Sequence, residues 1–169
     1  VRVIGAGASG MMGAWTAGKR GGRGLRLDSS GKVGSKIRMS GGGRGNFTNL
    51  YVEPENYLSA NPHFCKSALS RYTQWDCIAL VQRYGIAYHE RDHGQLFCDD
   101  AARQILQMLL QECEQAGVNL RHPCPVTAIA YDGRYSLPTG AGAFSAESRV
   151  VATGGLAIPS RGSPVVGHR

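Results

Sequence analysis

Three glycines near the start of the chain have the spacing of a phosphate-binding turn. Gly5, Gly7 and Gly10 match the pattern G-x-G-x-x-G. In that pattern the first glycine permits a tight turn, the second lets backbone approach a pyrophosphate, and the third lets a helix pack on a strand. The N-terminus of the following helix presents free N–H groups and a partial positive charge to an anion. These residues therefore predict the binding of a dinucleotide.

An acidic residue follows at the place where a ribose would be recognised. Asp28 ends the next short apolar run, 18 residues after Gly10. A carboxylate there accepts hydrogen bonds from a ribose diol, and its charge repels a 2′-phosphate. The spacing favours an adenosine dinucleotide of the FAD or NAD type over NADP. The alternative is a glycine-rich surface turn followed by an unrelated acid.

A second glycine cluster combines flexible backbone with cations and amides. It is the stretch KIRMSGGGRGNFTNL, from Lys36 to Leu50, which lacks the G-x-x-x-x-G-K-[ST] pattern of a Walker loop. Consecutive glycines can form an N–H-lined concavity for an anion, and Lys36 and Arg44 can add charge-assisted hydrogen bonds. The neutral donors and acceptors are Asn46, Thr48 and Asn49. Composition alone leaves two interpretations, an anion cradle or a mobile linker.

The elements that must position these residues follow a strand–helix–strand order. VRVI predicts the end of a strand, MMGAWTAGKRGG a helix packed on a sheet, and GLRLD a second strand. Two strands joined by a helix predict a parallel sheet. Residues 29–62 are expected to be irregular because prolines interrupt them.

The rest of the chain predicts further helices and short strands. Residues 63–84 predict two helical stretches, and GIAYHE predicts a short strand. DDAARQILQMLLQECEQAG predicts the strongest helix. Asp99 or Asp100 is predicted as its N-cap, in preference to the alternative that the two are paired carboxylates. The short strands after it are VNLRH, VTAIAYD, RYSLP and AFSA, and RVVATGG predicts a buried strand.

Length and composition indicate a globular domain. The chain has 169 residues, of which 42% are hydrophobic and 18% charged. No apolar run approaches the roughly 18 residues that span a bilayer, so no membrane partner is expected. Five cysteines without a C-x-x-C pair indicate reduced thiols in a cytoplasmic protein. Because the chain opens inside a strand pattern and stops at GSPVVGHR, it is predicted to be an incomplete piece.

The positive charge is confined to the first part of the chain. Residues 1–50 hold nine Lys and Arg against one acid, whereas residues 51–169 hold ten against eleven. A local excess of this kind favours an anionic partner, either a pyrophosphate or a nucleic acid. The alternative is a solvated basic face, which is the interpretation given to Lys19, Arg20 and Arg23 at a helix end.

The remaining residues that could bind a metal or stack on a ligand are interpreted as structural. His89, His93 and Cys98 do not predict a metal site, because H-x-x-x-H suits a helix and this stretch reads as strand and turn. Trp15 and Trp75 are predicted to be core residues. No motif supplies a catalytic acid or base, so the catalytic residues are left unassigned.

Six segments together resemble a known family. They are GAGASGMM, LDSSGKVGSKI, MSGGGRGNFTNLY, NPHFCKSAL, GQLFCDDAA and VVATGGLAIP. In this order they are similar to the BaiN-like (aminoacetone-oxidase-type) bacterial NAD(P)/FAD-dependent flavoprotein oxidoreductases. The resemblance implies an α/β fold with a Rossmann-like, FAD-binding parallel sheet of the two-dinucleotide-binding-domain flavoprotein type. It also implies that residues 1–169 form one incomplete FAD-binding domain with a small antiparallel β layer at 118–147, without the substrate domain and the C-terminal FAD segment.

The same resemblance implies a set of FAD contacts. The pyrophosphate would be lined by Gly5, Ala6, Gly7, Ala8, Ser9 and Gly10, with Asp28 at the ribose. The flavin side would be lined by Lys36, Ser40, Gly41, Gly42, Gly43, Arg44 and Asn46. Val126 would contact the adenine, and Ala152, Thr153 and Gly154 would close over the cofactor as the ATG turn of such flavoproteins. This last turn favours FAD over NAD.

Four positions depart from the family pattern. Gly45 stands where these proteins usually have cysteine, and Gly24, Arg26 and Arg38 stand where aliphatic residues are expected. Glycine weakens a strand, and a buried unpaired cation is costly. Because the substrate domain and the C-terminal FAD segment are also missing, the chain is expected to bind FAD less tightly than a full-length relative.

The predicted function is that of an FAD-binding oxidoreductase. FAD would accept a hydride from NAD(P)H and pass electrons to an unidentified small-molecule acceptor, because such cofactors carry the redox chemistry themselves. One alternative is reduction of a base in structured RNA, an activity that the resemblance associates with the family. Another is a non-catalytic or truncated nucleotide-binding module.

Overall fold

The computed structural model describes residues 1–22, 25–28 and 32–155. The chain divides into two compact units: Val1–Lys36 with Leu109–Arg169 form the first, and Ile37–Met108 form the second. The predictions made for Arg23, Gly24 and the side chain of Arg26 lie outside the described residues. So does the end of the chain after residue 155.

The first unit contains a four-stranded parallel sheet. Its strands are β1 (Arg2–Ile4), β2 (Leu25–Leu27), β6 (Asn119–Arg121) and β10 (Arg149–Val151), in the order β10-β1-β2-β6. The helix α1 (Ala8–Lys19) follows β1 directly. The predicted strand–helix–strand order and the parallel sheet are therefore confirmed.

Apolar side chains of α1 form the core beside this sheet. Met11 and Ala14 are fully buried and Trp15 is 8% exposed, so Trp15 is a core residue as predicted. The Cys113 thiol donates to the Met11 carbonyl at 3.4 Å. Cys113 belongs to α5 (Arg103–Gln115), the amphipathic helix that the sequence predicts as the strongest.

A small antiparallel sheet completes the first unit. It consists of β7 (Ala130–Asp132), β8 (Arg134–Thr139) and β9 (Gly142–Ala146), in that order. Leu137 of β8 is fully buried against Ile4 and Cys124. The layer starts later than the expected residue 118, because β6 pairs with β2 in the parallel sheet instead.

The second unit contains its own three-stranded antiparallel sheet. The strands are β3 (Asn46–Asn49), β4 (Tyr88–Arg91) and β5 (Gln95–Cys98), in the order β3-β5-β4. The helices in this part of the chain are α2 (Ser35–Met39), α3 (Lys66–Arg71) and α4 (Gln74–Arg83). The last two confirm the predicted helical stretches. The irregular structure expected for residues 29–62 is wrong, since α2 and β3 lie within that range.

Helix caps correct one prediction in the second unit. The amide of Asp76 donates to Thr73 Oγ1 at 3.3 Å and the Thr73 amide donates back to the Asp76 carboxylate at 2.7 Å, which caps α4 and lowers the pKa of Asp76. The helix α5 begins at Arg103. Neither Asp99 nor Asp100 is therefore its N-cap, and the prediction is wrong because Asp99 has another partner, described below.

Two further predictions about burial are wrong. Trp75, expected in the core, is 60% exposed near the start of α4, where Ile78 and Val81 make the buried contacts instead. The strand β10 is exposed along its length rather than buried. Within the described residues β10 pairs only with β1, which makes it an edge strand.

No helix among the described residues has both the length and the apolarity that crossing a bilayer requires. The five cysteines are free thiols in the structure.

Candidate functional site

The glycine turn after β1 is built so that two of its residues must be glycine. Gly5 has a φ of 110°, and a Cβ at this position would collide with the Ala152 carbonyl. A Cβ at Gly10 would collide with the Gly5 carbonyl. At Gly7, by contrast, an added Cβ meets nothing within 4 Å. The turn is therefore closed on its inner side and open at Gly7, which is the position where a pyrophosphate would approach.

The N-terminus of α1 lies at this open position. Gly7 is the N-cap with extended backbone, and Ala8 and Ser9 are exposed. Among the described side chains none caps this terminus, and its first turn contains no acid. A helix N-terminus without a side-chain cap leaves amide donors and a partial positive charge for a ligand. This arrangement fits the pyrophosphate of a dinucleotide.

Asp28 is positioned directly beside the glycine turn. Its carboxylate accepts a hydrogen bond from the Ala6 amide. Its own backbone is fixed by Arg121, whose carbonyl accepts from the Asp28 amide at 3.1 Å, and by Cys124, whose amide donates at 2.6 Å. The acid therefore lies at the carboxyl ends of the parallel strands, where open α/β sheets bind their ligands.

The ATG turn reaches the same cluster in the first unit. The Ala152 amide donates to the Ile4 carbonyl at 2.8 Å. The Lys36 ammonium donates to the Gly155 carbonyl at 2.6 Å and lies 3.4 Å from the position of a Cβ on Gly154. Lys36 therefore contacts Gly155, the residue that follows the ATG turn. The family resemblance implies that Lys36 lies on the flavin side and that the ATG turn, as a separate group, closes over the cofactor.

Two of the predicted contact residues have buried side chains. Val126 is 5% exposed and packs with Ile4, Cys124 and Leu137. Ala6 is 1% exposed. Because its side chain is buried, Val126 could contact adenine only through its backbone. The roles of Val126 and Ala6 in binding FAD remain predictions.

The second unit contains the glycine loop, defined here as Ser40–Arg44. Gly41, Gly42 and Gly43 have φ values of 56°, 67° and 91°. The loop is fixed by hydrogen bonds: Gly43 O accepts from Ala102 N at 2.7 Å, and Arg44 O accepts from Cys98 N at 3.0 Å. The Ser40 hydroxyl donates to the Asn46 carbonyl at 3.1 Å. The mobile-linker interpretation is wrong, because the backbone amides of Ala102 and Cys98 hold this stretch as an ordered turn.

Gly45 follows the loop and is tightly enclosed. It is buried with a φ of 71°, and an added Cβ would lie 2.9 Å from Ala102 Cα. The same Cβ would lie 3.5 Å from the Cys98 sulfur. Burial raises the pKa of the Cys98 thiol to about 11, so this thiol is protonated at neutral pH and is a poor nucleophile. Cys98 therefore does not replace the cysteine that the family pattern has at position 45.

We expect Gly45→Ala to destabilise the protein by about 1–3 kcal/mol, because a non-glycine residue at positive φ is strained and Ala102 must move. Gly42→Ala is the matched control: its φ is 67°, but an added Cβ meets nothing within 4 Å. Chemical denaturation should give a smaller loss of unfolding free energy for Gly42→Ala. Equal losses would show that contact with Ala102 has no effect.

A histidine and an aspartate form an acid–base pair in the second unit. His89 Nδ1 lies 2.6 Å from Asp99 Oδ1. From the sequence, His89 is considered only as a metal ligand, and Asp99 as a helix cap or, with Asp100, as one of two paired carboxylates. The pair is produced by the β4–β5 hairpin, in which His89 pairs with Phe97 and the Asp99 amide donates to the Ala87 carbonyl at 3.0 Å. If Gln95–Cys98 is recognised as a strand that pairs with β4, the sequence predicts that His89 and Asp99 lie near each other.

The basic residues take different roles. Lys19 lies 3.4 Å from the carboxylate of Glu112, which is 2% exposed, and 4.5 Å from the Trp15 ring. Lys19 is nevertheless exposed, as the solvated-face interpretation expects, and so is Arg20. Arg38 is also exposed, so replacing an aliphatic residue there buries no cation. Arg44 is exposed, and its Nη1 donates to the Asp99 carbonyl at 3.4 Å.

Comparisons with known proteins agree with this architecture. The HI0933-like protein Rossmann domain model matches residues 1–169. A ribosomal RNA dihydrouridine synthase of Escherichia coli strain K12 is 52% identical over 168 residues, which cover 99% of this chain and 42% of that protein. A protein of the same name from Haemophilus influenzae is 45% identical and is covered to 43% of its length, against 99% of this chain. The chain thus spans less than half of these relatives.

A solved structure supports the fold alone. L-proline dehydrogenase from P. horikoshii superposes with a TM-score of 0.61 and 13% sequence identity. The match covers 90% of this chain and 52% of that one. Together with the family match, it confirms the predicted α/β, Rossmann-like fold of the FAD-binding type with small antiparallel sheets.

Proposed function

This chain belongs to the HI0933-like family of FAD-binding Rossmann domains, and on that premise we propose that it forms part of a flavoenzyme that reduces a uridine in ribosomal RNA. In this proposal the first unit binds the adenosine and pyrophosphate of FAD. The glycine loop of the second unit keeps its predicted role on the flavin side. NAD(P)H is the proposed electron donor.

The observation that carries FAD binding is the open position at Gly7. A dinucleotide phosphate needs close approach to backbone, amide donors and a ribose acceptor. The first unit provides the approach at Gly7, the donors at the N-terminus of α1 and the acceptor at Asp28. The residues present therefore fit the cofactor.

The relatives support RNA as the electron acceptor, in preference to the small-molecule acceptor of the main sequence prediction. Both relatives are named for dihydrouridine formation in ribosomal RNA, and their similarity covers nearly all of this chain. Forming dihydrouridine adds a hydride and a proton across the C5=C6 bond of uracil. FAD, when bound, supplies the hydride chemistry. The chain's own residues bind and orient the cofactor and the base.

The charge distribution is consistent with this acceptor. Nine of the 19 Lys and Arg lie in the first 50 residues, which contain one acid. If these cations contact RNA phosphates, the affinity for RNA falls steeply as the salt concentration rises. RNA retention that persists after FAD is bound, and that weakens with added salt, would support the proposal. The absence of retention at low salt would contradict it.

The FAD-binding part can be tested on the purified chain. A visible spectrum with flavin bands near roughly 375 and 450 nm is expected, because the cofactor carries its own chromophore. Added FAD should raise the melting temperature, since a ligand that binds only the folded state stabilises it. A colourless protein whose melting temperature is unchanged by FAD would contradict the proposal.

We expect Arg44→Ala to weaken FAD binding about tenfold, because a charge-assisted hydrogen bond contributes about 1.5 kcal/mol. Arg20→Ala is the matched control, since Arg20 is an exposed cation at the C-cap of α1. Lys19 is unsuitable as a control because it pairs with the buried Glu112. Titration calorimetry with FAD should separate the two variants. Equal affinities would remove the glycine loop from the FAD site.

A further inference from the structure

The second unit contains an acid–base pair to which the proposed function has so far given no role. His89 and Asp99 are joined through Nδ1 and Oδ1 at 2.6 Å, and their side chains are 40% and 48% exposed. A pair this exposed contributes little to folding stability, since surface ion pairs are worth about 0–1 kcal/mol. The positions of both His89 and Asp99 are nevertheless well defined by their neighbours.

The pair lies in the same cluster as the glycine loop. The His89 ring stacks on Phe97 with centroids 6.4 Å apart and planes inclined by 20°. The edge of that Phe97 ring faces Gly41, where an added Cβ would lie 2.5 Å from Phe97 Cε1. On the other side, Arg44 Nη1 donates to the Asp99 carbonyl at 3.4 Å. The glycine loop, which is predicted to border the flavin, therefore lies beside the His–Asp pair in the second unit. Gly41 is next to Phe97, on which His89 stacks, and Arg44 contacts Asp99.

The backbone fixes both members of the pair. His89 is in β4 opposite Phe97 of β5, and Asp99 directly follows β5. The Asp99 amide donates to the Ala87 carbonyl at 3.0 Å, which extends the hairpin by one residue. A histidine held at Nδ1 by a carboxylate keeps a defined ring orientation. Nε2 is then the ring nitrogen that exchanges a proton with a substrate.

Reduction of uracil requires such a group. The C5=C6 bond is conjugated with the C4 carbonyl, so a hydride adds to C6 and the π electron pair moves to C5 and the C4 oxygen. The reaction is complete only when C5 receives a proton. A positioned general acid typically accelerates a proton transfer of this kind by about 10²–10⁴-fold.

We propose that His89 is the proton donor to C5 of the uracil, and that Asp99 is the residue that positions it. The inference rests on the proposed function. When the hydride has formed the C6–H bond, the Nε2–H bond of the imidazolium breaks and the C5–H bond forms. The electron pair of the former π bond becomes the C5–H bond, and neutral His89 regains a proton from water. FAD, when bound, would supply the hydride that NAD(P)H provides, so electrons and protons balance.

The two half-reactions of the intact, FAD-loaded protein test this role. Flavin reduction by NAD(P)H is followed anaerobically by absorbance, and reoxidation is then followed on mixing with ribosomal RNA that lacks dihydrouridine. His89→Gln should leave the first rate unchanged and slow the second about 10²–10⁴-fold. Asp99→Asn should slow the second rate less. His63→Gln, at an exposed histidine outside this cluster, is the control and should change neither rate.

Chemical rescue separates a proton donor from a structural residue. Imidazole added to His89→Ala should restore part of the reoxidation rate, and the unfolding free energy of both His89 variants should stay near that of the wild type. Reoxidation of His89→Gln at the wild-type rate would overturn the inference alone. A wild-type protein that NAD(P)H reduces but ribosomal RNA does not reoxidise would overturn the proposed function, and the inference with it.

Discussion

Replacing Gly7 with alanine is expected to lower the affinity for FAD by about 100-fold or more, which corresponds to about 3 kcal/mol, without unfolding the protein. The backbone at Gly7 has a φ of −84°, which alanine tolerates, and an added Cβ meets no protein atom within 4 Å. The methyl group would instead occupy the space that the pyrophosphate needs. Titration of each variant with FAD, alongside chemical denaturation, measures both effects.

Gly13→Ala is the matched control for this change. Gly13 is inside α1, and a Cβ there would make an ordinary contact with Val150 at 3.9 Å. Alanine should raise the stability by about 0.5–1 kcal/mol, because glycine is unfavourable within a helix, and should leave FAD affinity unchanged. A Gly7→Ala variant that binds FAD as tightly as Gly13→Ala would show that the pyrophosphate does not approach at Gly7.

Asp28→Asn is expected to lower FAD affinity by about 10–100-fold, since hydrogen bonds to a charged group contribute about 1.5–3 kcal/mol. Asparagine keeps the size of the side chain and an oxygen that can accept from the Ala6 amide, so the turn itself should remain. The variant removes the charge that favours a ribose diol. Calorimetric titration with FAD gives the change directly.

Asp132→Asn is the corresponding control, because Asp132 is an exposed acid in β7 of the same unit. It removes the same charge without touching the glycine turn. Its FAD affinity should match that of the wild type. If both variants weaken FAD equally, the effect of Asp28 is one of overall charge, and its assignment to the ribose is wrong.

Local sequence patterns were sufficient for the beginning of the first unit, up to Asp28. The order strand, G-x-G-x-x-G turn, helix and acid-ending strand lies within 28 residues, and each part follows from periodicity or from glycine geometry. The structure accordingly places the Asp28 carboxylate against the glycine turn that contains Gly5 and Gly10.

Contacts between distant parts of the chain could not be predicted in this way. The strand β3 is mostly polar, with Phe47 as its one apolar residue. It pairs with β5, and in the nearest register pair Asn49 and Gln95 are 46 residues apart. Lys19 of α1 forms an ion pair with the buried Glu112 of α5. A propensity pattern contains no information about such partners, because they are set by how elements pack rather than by local preference.

The His–Asp pair shows the same limit at the candidate site. His89 and Asp99 are 10 residues apart, and each has an ordinary local interpretation. Only the register of the β4–β5 hairpin places their side chains in contact. The exposure of Trp75 likewise depends on how α4 packs. The buried side of α4 is the one that carries Ile78 and Val81, and Trp75 is not on it.

The most direct test of the central claim is to measure dihydrouridine in ribosomal RNA. Unmodified RNA, the intact FAD-loaded protein and NAD(P)H are incubated without oxygen, and the nucleosides are then analysed by mass spectrometry. The account predicts one additional dihydrouridine for each NAD(P)H consumed, and no product when FAD is removed. Consumption of NAD(P)H without any dihydrouridine in the RNA would contradict it.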